Sequence, residues 1–244
     1  MSIHLVVDIG NSRTKVGLFK NRDLFKKAVF KNQELSNLDQ FIPIKEIDKG
    51  IISSVNKTTE KLIPYKKINF PLLWLNAELS LPFKNNYVTA NTLGSDRIAL
   101  VAVAQKLYPQ QNVLLIDAGS CITYDFLTAE GIYLGGAISP GVKMRLKAMN
   151  QFTNSLPLID WDAKELPNIL GDSTRNSILS GAVCGAVKEI EGFFSFYNQH
   201  YRGIKTIITG GDAIFFEKAL KNTIFAIPNL VLKGLNELLI FNSE

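Results

Sequence analysis

The sequence predicts an α/β protein assembled from two copies of one small domain. A short apolar run ending in Asp-x-Gly occurs twice, and the same succession of strand and helix signals follows each occurrence. With 244 residues, 46% of them hydrophobic, the chain can bury two such cores.

In the first copy, residues 3–7 form an apolar run rich in β-branched side chains. Asp8-Ile9-Gly10-Asn11-Ser12 is a turn cluster, and residues 14–19 resume strand character. The spacing predicts a hairpin with a carboxylate at the mouth of its first strand. Such a corner suits phosphate and metal. Gly10 lets the backbone approach an anion, loop amides can point at phosphate oxygens, and Asp8 can hold a cation or its water shell. Asp, Gly, Asn and Ser also make ordinary turns, so this segment alone leaves both readings open. Residues 114–127 repeat it at a constant offset: Leu5 matches Leu114, Asp8 matches Asp117, Gly10 matches Gly119, Thr14 matches Thr123 and Leu18 matches Leu127. That offset is too long for a solenoid and suits a duplicated domain, residues 1–111 and 112–244. Two facing carboxylate hairpins describe a central cleft that grips a polyphosphate from both sides, which favours the nucleotide reading.

Composition narrows the alternatives. No apolar run approaches the roughly 18 to 20 residues that span a bilayer, and Asp8 interrupts any leader-like pattern, so a cytoplasmic protein without membrane contact is expected. The net charge of +5 comes from scattered lysines without interleaved aromatics, which argues against nucleic acid as a partner. Cys121 and Cys184 have no metal or disulfide spacing and read as small core side chains, and His4 and His200 are too isolated for a transition-metal site.

Strands are expected at 23–30, 50–55 and 72–75, with a helix at 56–65 and a functional loop at 76–93. Gly94-Ser95-Asp96-Arg97 then opens a helix, residues 98–108, that is apolar nearly all round, with Ser95 as its cap and Pro109 as its stop. Asp96 and Arg97 therefore stand at the mouth of an interior helix, where burial is costly unless a ligand or partner engages them. The alternative is that Asp96 complements the helix dipole while Arg97 pairs with a surface carboxylate. The second half repeats the three strands at 113–117, 121–127 and 131–139. The last runs into Gly135-Gly136-Ala137-Ile138-Ser139-Pro140-Gly141, where glycines allow close approach. A helix at 142–149 presents Lys143 and Lys147 on one solvated face. Residues 151–169 are irregular, and a long helix spans 174–201, with Gly181, Ala182, Gly185 and Ala186 as a patch for close packing. A strand at 204–208 leads into Thr209-Gly210-Gly211-Asp212, a flat backbone for a purine and a helix start for a phosphate. A strand at 224–226 and a helix at 229–241 follow.

These motifs, in this order over nearly the whole chain, resemble the type III pantothenate kinases, members of the sugar kinase, heat-shock protein and actin superfamily. The resemblance implies two tandem ribonuclease H-like domains (the actin-like ATPase fold) with a central cleft. It also implies transfer of the ATP γ-phosphoryl group to the primary hydroxyl of pantothenate, the first step of coenzyme A synthesis. By the family pattern, Val7, Asp8, Ile9, Gly10, Asn11, Ser12 and Arg13 hold ATP with Mg²⁺ at Asp8. Ser120, Gly210 and Gly211 also contact ATP, and Asp117 binds a monovalent cation, K⁺ or NH₄⁺. Asp96 is the general base; Tyr87, Gly94, Ser95, Asp96, Arg97 and Thr174 line the pantothenate site, with Thr174 reaching across a homodimer. Ser12 and Ser120 stand where relatives more often carry Thr, Ser95 where they carry Ala, and Ala90 where they often carry Pro. A non-catalytic nucleotide-binding regulator of the same fold, or a kinase for another small alcohol, is the alternative. Intact Asp8, Asp96 and Asp117 argue for catalysis, since alignment, charge neutralisation and a positioned carboxylate are what phosphoryl transfer to an alcohol requires. Arg97 suits a substrate carboxylate.

Overall fold

The computed structural model describes residues 1–10, 13–32, 41–42, 46–54, 69–76, 78–220 and 224–243. The chain forms two compact units. One comprises Met1–Pro109, Gly131–Tyr133 and Asn229–Glu244; the other comprises Gln110–Glu130 and Leu134–Pro228.

In the first unit, the apolar runs become β1 (Ile3–Ile9), β2 (Arg13–Lys20), β3 (Asp23–Lys31), β4 (Lys49–Ser54) and β5 (Leu72–Trp74). The sheet order is β3-β2-β1-β4-β5. β1 and β2 are the antiparallel hairpin, and β1 pairs in parallel with β4. Leu5, Val7, Ile9, Val16, Leu18 and Ile52 share one core, following the two-residue period of a strand. A short β6 (Lys84–Asn85) pairs in parallel with Ile132 and Tyr133 inside the expected functional loop. Helix α1 (Ser95–Leu107) buries Ala99, Leu100, Val101, Ala102, Val103 and Ala104, as its all-round apolar sequence demands. The expected helix at 56–65 lies outside the described residues.

The second unit holds β7 (Val113–Ala118), β8 (Cys121–Leu127), all but the first two residues of β9 (Ile132–Pro140), β10 (Lys205–Thr209) and β11 (Ile224–Ala226). Read from the other edge, β9-β8-β7-β10-β11 matches the first sheet's β3-β2-β1-β4-β5, with β6 as a sixth strand beside β9. β7 is antiparallel to β8 and parallel to β10. The duplication seen in the motifs is thus a duplication of topology. Helix α2 (Val142–Gln151) and the long helical segment pack on this sheet through Leu146, Val183, Ala186 and Ile190. Tyr124 stacks on Phe193 with ring centroids 4.0 Å apart, and Phe126 on Tyr197 at 4.7 Å.

Three local expectations are corrected. The helix expected over 174–201 is interrupted: α3 (Thr174–Leu179) passes through a π turn, Ser180–Cys184, into α4 (Gly185–His200). At that turn Ser180 Oγ donates to the Ile169 carbonyl at 2.6 Å and Cys184 Sγ to the Pro167 carbonyl at 3.3 Å, fastening the preceding loop to the helix. Within the small-residue patch only Ala182 and Ala186 are buried, whereas a Cβ on Gly181 or Gly185 would meet nothing within 4 Å. Finally, helix α6 (Leu230–Phe241), which follows β11 and the short helix α5 (Ala213–Ala219), belongs with the first unit. It packs along α1 so closely that a Cβ on Gly234 would lie 1.9 Å from the Ala99 carbonyl oxygen.

Candidate active site

In the first unit the parallel pairing of β1 and β4 sets Asp8 opposite Ser53. Asp8 is 9% exposed, and its Oδ1 accepts the Ser53 hydroxyl at 2.9 Å. Burial pushes the Asp8 carboxyl above the usual carboxylate range. Lys15 and the Ser53 hydrogen bond oppose that shift, and the negative charge of Asp96 adds to it. Val7 and Ile9 are fully buried, so only their main chain can meet a ligand.

The turn is braced from β3. The Gly10 amide donates to the Arg13 carbonyl at 3.0 Å, and the Gly10 carbonyl accepts Asn32 Nδ2 at 3.0 Å. Thr14 Oγ1 donates to Asn32 Oδ1 at 3.0 Å. Arg13 is exposed at the start of β2. Asn11 and Ser12 lie outside the described residues.

Asp96 and Arg97 open α1. The cap is Gly94 and not Ser95, which is already helical and whose buried hydroxyl has no hydrogen-bond partner among the described residues. The reason is steric: a Cβ on Gly94 would sit 2.5 Å from Asp96 Oδ1. Without it the carboxylate folds back and accepts the Arg97 amide at 2.8 Å, at a helix end that favours negative charge. Arg97 is 4% exposed, which excludes a solvated surface ion pair. Its guanidinium lies 5.3 Å over the Tyr87 ring, and Tyr87 stacks on Tyr133 at 6.1 Å.

The second unit builds a related corner. Asp117 ends β7 beside Thr209 of β10 and Thr123 of β8. The Gly119 amide donates to the Cys121 carbonyl at 2.9 Å, closing a shorter turn than the first. Two glycine segments press on this loop. The Gly141 amide donates to the Ser120 carbonyl at 3.1 Å, and a Cβ there would lie 2.3 Å from the Gly119 carbonyl oxygen. Gly210 has φ +102°, and a Cβ there would lie 2.4 Å from Asp117 Oδ1. The unit thus brings together Asp117, Ser120, Gly141 and Gly210, while Gly211 and Ser120 stay exposed. Burial pushes the Asp212 carboxyl up, against the nearby Lys143 charge.

Thr174 is exposed at the first position of α3, after Ser173 caps the helix by accepting the Asn176 amide at 3.3 Å. Next to it, Lys143, Lys147, Trp161, Leu170, Arg175 and Leu179 line a depression of about 980 Å³. Asp117, Ser120 and Gly210 are not among its walls. Among the described residues, no three His, Cys, Asp or Glu side chains gather as a metal cage.

Ser53 and Asn32 carry no signal of their own in the sequence. Ser53 could have been found as the hydroxyl at the end of an apolar strand, since Thr209 holds the same place in the other half.

Residues 4–195 match the family model described as type III pantothenate kinase. A type III pantothenate kinase of Christiangramia forsetii is 45% identical, the match covering 98% of this chain and 99% of that protein. Among solved structures, a Baf family transcriptional activator from Campylobacter jejuni superimposes with a TM-score of 0.65 at 22% identity, covering 98% of both chains. An N-acetylmannosamine kinase from Listeria monocytogenes superimposes with a TM-score of 0.57 at 13% identity, covering 99% of this chain and 100% of that one. The fold is that of the actin-like ATPases and ROK sugar kinases, and family membership implies use of ATP. The chain belongs to the type III pantothenate kinase family.

Proposed function

We propose that this protein transfers the γ-phosphoryl group of ATP to the primary hydroxyl of pantothenate, the first step of coenzyme A synthesis. The observation that carries the reading is that one unit holds a buried Asp8 at the end of its hairpin and, at the start of α1, Asp96 folded back on the Arg97 amide with Arg97 buried over Tyr87. Asp96 is the general base. Its Oδ1 is engaged by the Arg97 amide, so Oδ2 takes the hydroxyl proton as the oxygen attacks phosphorus. Arg97, oriented by Tyr87, receives the substrate carboxylate, and Gly94, Ser95 and Thr174 complete the pantothenate site.

Asp8 fits a nucleotide-bound Mg²⁺. A cation there relieves both the burial of the carboxylate and its repulsion from Asp96, and an oxygen ligand suits this ion, which keeps water and phosphate ligands. Mg²⁺, when bound, neutralises charge on the transferring phosphate. In the first unit the amides around Gly10, with Arg13, suit phosphate oxygens; in the second, Ser120 suits a phosphate and the open backbone at Gly211 suits the base. Asp117, with the Ala118 carbonyl beside it at Gly210, offers oxygen ligands to K⁺ or NH₄⁺.

The active form is a homodimer in which Thr174 reaches the partner's pantothenate site. Supporting this, Phe152, at the end of α2, and Leu170, in the loop before α3, are 80% and 85% exposed, and Leu158, Leu166 and Ile169 of the same stretch are exposed as well.

The test is ADP release by the purified protein with ATP, Mg²⁺ and K⁺. Release should depend on pantothenate and fall when K⁺ is replaced by a bulky organic cation. Turnover of sugars without turnover of pantothenate would overturn the substrate. A fully active monomer in sedimentation would overturn the shared site.

A further inference from the structure

One polar cluster in the second unit has no part in the roles assigned above. Glu189, in the middle of α4, is half-buried and takes hydrogen bonds from three other elements. Tyr124 Oη, from β8, donates to Oε1 at 2.9 Å, and the Ser139 hydroxyl, from β9, donates to the same oxygen. Arg145, from α2, donates through Nη2 to Oε2 at 2.5 Å. Burial opposes ionisation of Glu189, but the bonds from Ser139, Arg145 and Tyr124 outweigh it and hold the carboxyl below its usual value. The carboxylate is therefore charged and held by three donors from three elements, which suits a bracket better than a reactive group.

What it brackets is the end of β9. Arg145 also donates through Nε to the Pro140 carbonyl at 2.8 Å, so Ser139 and Pro140 are both tied to the Glu189–Arg145 pair. The next residue, Gly141, is the one whose amide binds the Ser120 carbonyl and whose missing side chain admits the Gly119 carbonyl. The chain of contact runs from Glu189 through Ser139 to Gly141 and the Gly119–Ser120 loop beside Asp117.

We infer that Glu189 is a positioning residue for phosphoryl transfer, acting through Ser139 and Arg145 to set where the Gly119–Ser120 loop meets the nucleotide phosphates. This rests on the proposal that the loop contacts ATP.

The experiment compares wild type, Glu189→Gln and Ser139→Ala by titration with adenylyl imidodiphosphate and Mg²⁺, and by steady-state kinetics. Glu189→Gln is near-isosteric but breaks the charged pair with Arg145. It should weaken analogue binding about tenfold and raise KM for ATP in parallel, as small misplacement of a binding loop does. KM for pantothenate should stay within about twofold, and Ser139→Ala should show the same bias at smaller size. If Glu189→Gln does not fold, Ser139→Ala carries the same comparison. Analogue affinity within about twofold of wild type in the folded variants, whatever happens to Tm, overturns the positioning role, as do equal losses for both substrates. Wild type that binds the analogue but leaves pantothenate unphosphorylated overturns the reading of the substrate, while the titration still decides Glu189. Wild type that binds no analogue overturns both.

Discussion

Ser53 faces Asp8 across the parallel β1–β4 pair and donates its hydroxyl to Asp8 Oδ1 at 2.9 Å. The second half sets Thr209 against Asp117 in the same register. In each half a carboxylate ends the central strand and a hydroxyl residue stands beside it.

Asp8 lowers the stability of the ligand-free protein. Its folded pKa lies above the ordinary 3.8, chiefly through burial, so the fold prefers the neutral form. Its contribution is therefore stabilising below the unfolded value and is lost as pH rises through the raised one. Asp8→Asn should raise Tm at neutral pH by about 2–4 °C, the shift of roughly 1 kcal/mol in a chain of this size, and abolish turnover. A fall in Tm would show that the charge is already compensated.

Asp96→Asn keeps the Oδ1 acceptor for the Arg97 amide and removes the base. Turnover should drop about 10² to 10⁴-fold, with ATP-analogue binding unchanged. Near-wild-type turnover would exclude Asp96 as the base.

His4 should make stability fall on acidification. Asn236 Nδ2 donates to the Asn21 carbonyl at 2.8 Å, which leaves Asn236 Oδ1 to accept His4 Nδ1–H at 2.8 Å. His4 Nε2 is buried without a hydrogen-bond partner among the described residues. Burial lowers the His4 pKa from its ordinary 6.5, so the fold favours the neutral ring. The stabilisation is complete above about 6.5 and is lost as pH falls from there toward the lowered folded value. Chemical unfolding from pH 8 to pH 5 should show this slope, and His4→Gln should flatten it.

Gly210→Ala and Gly211→Ala should behave differently although they are adjacent. At Gly210 the φ of +102° and the contacts with Asp117 and Ala118 strain any side chain, a cost of about 1–3 kcal/mol that also displaces the Asp117 carboxylate. Activation by K⁺ should be lost with it. At Gly211 a Cβ meets nothing within 4 Å, so stability should stay close to wild type. Equal Tm losses in the two variants would contradict this.

Both hairpins, the strands that follow them and the interior helix were legible in the sequence because their signals are local: apolar runs, turn clusters and an Asp-x-Gly seen twice. Asp8 and Asp96 could be nominated from such signals. Asn32 and Glu189 could not, and Ser53 only as a hydroxyl at a strand end, since their roles depend on the register of strands distant in sequence or on the face a helix turns inward. Ser95 has the side chain of a cap, but cap preference is a one-residue rule, and Asp96 folding back over a glycine outweighs it. The π turn at Ser180–Cys184 follows from side chains fastening a loop, which helical periodicity does not encode.

Helix α6 belongs to the unit whose largest segment, Met1–Pro109, is made first. On a ribosome, residues 1–109 emerge with the apolar flank of α1 uncovered, and Gly234 reaches Ala99 only after the whole of 110–228 has been synthesised. The unit begun first is therefore finished last, and until then the flank of α1 that α6 will cover is left bare.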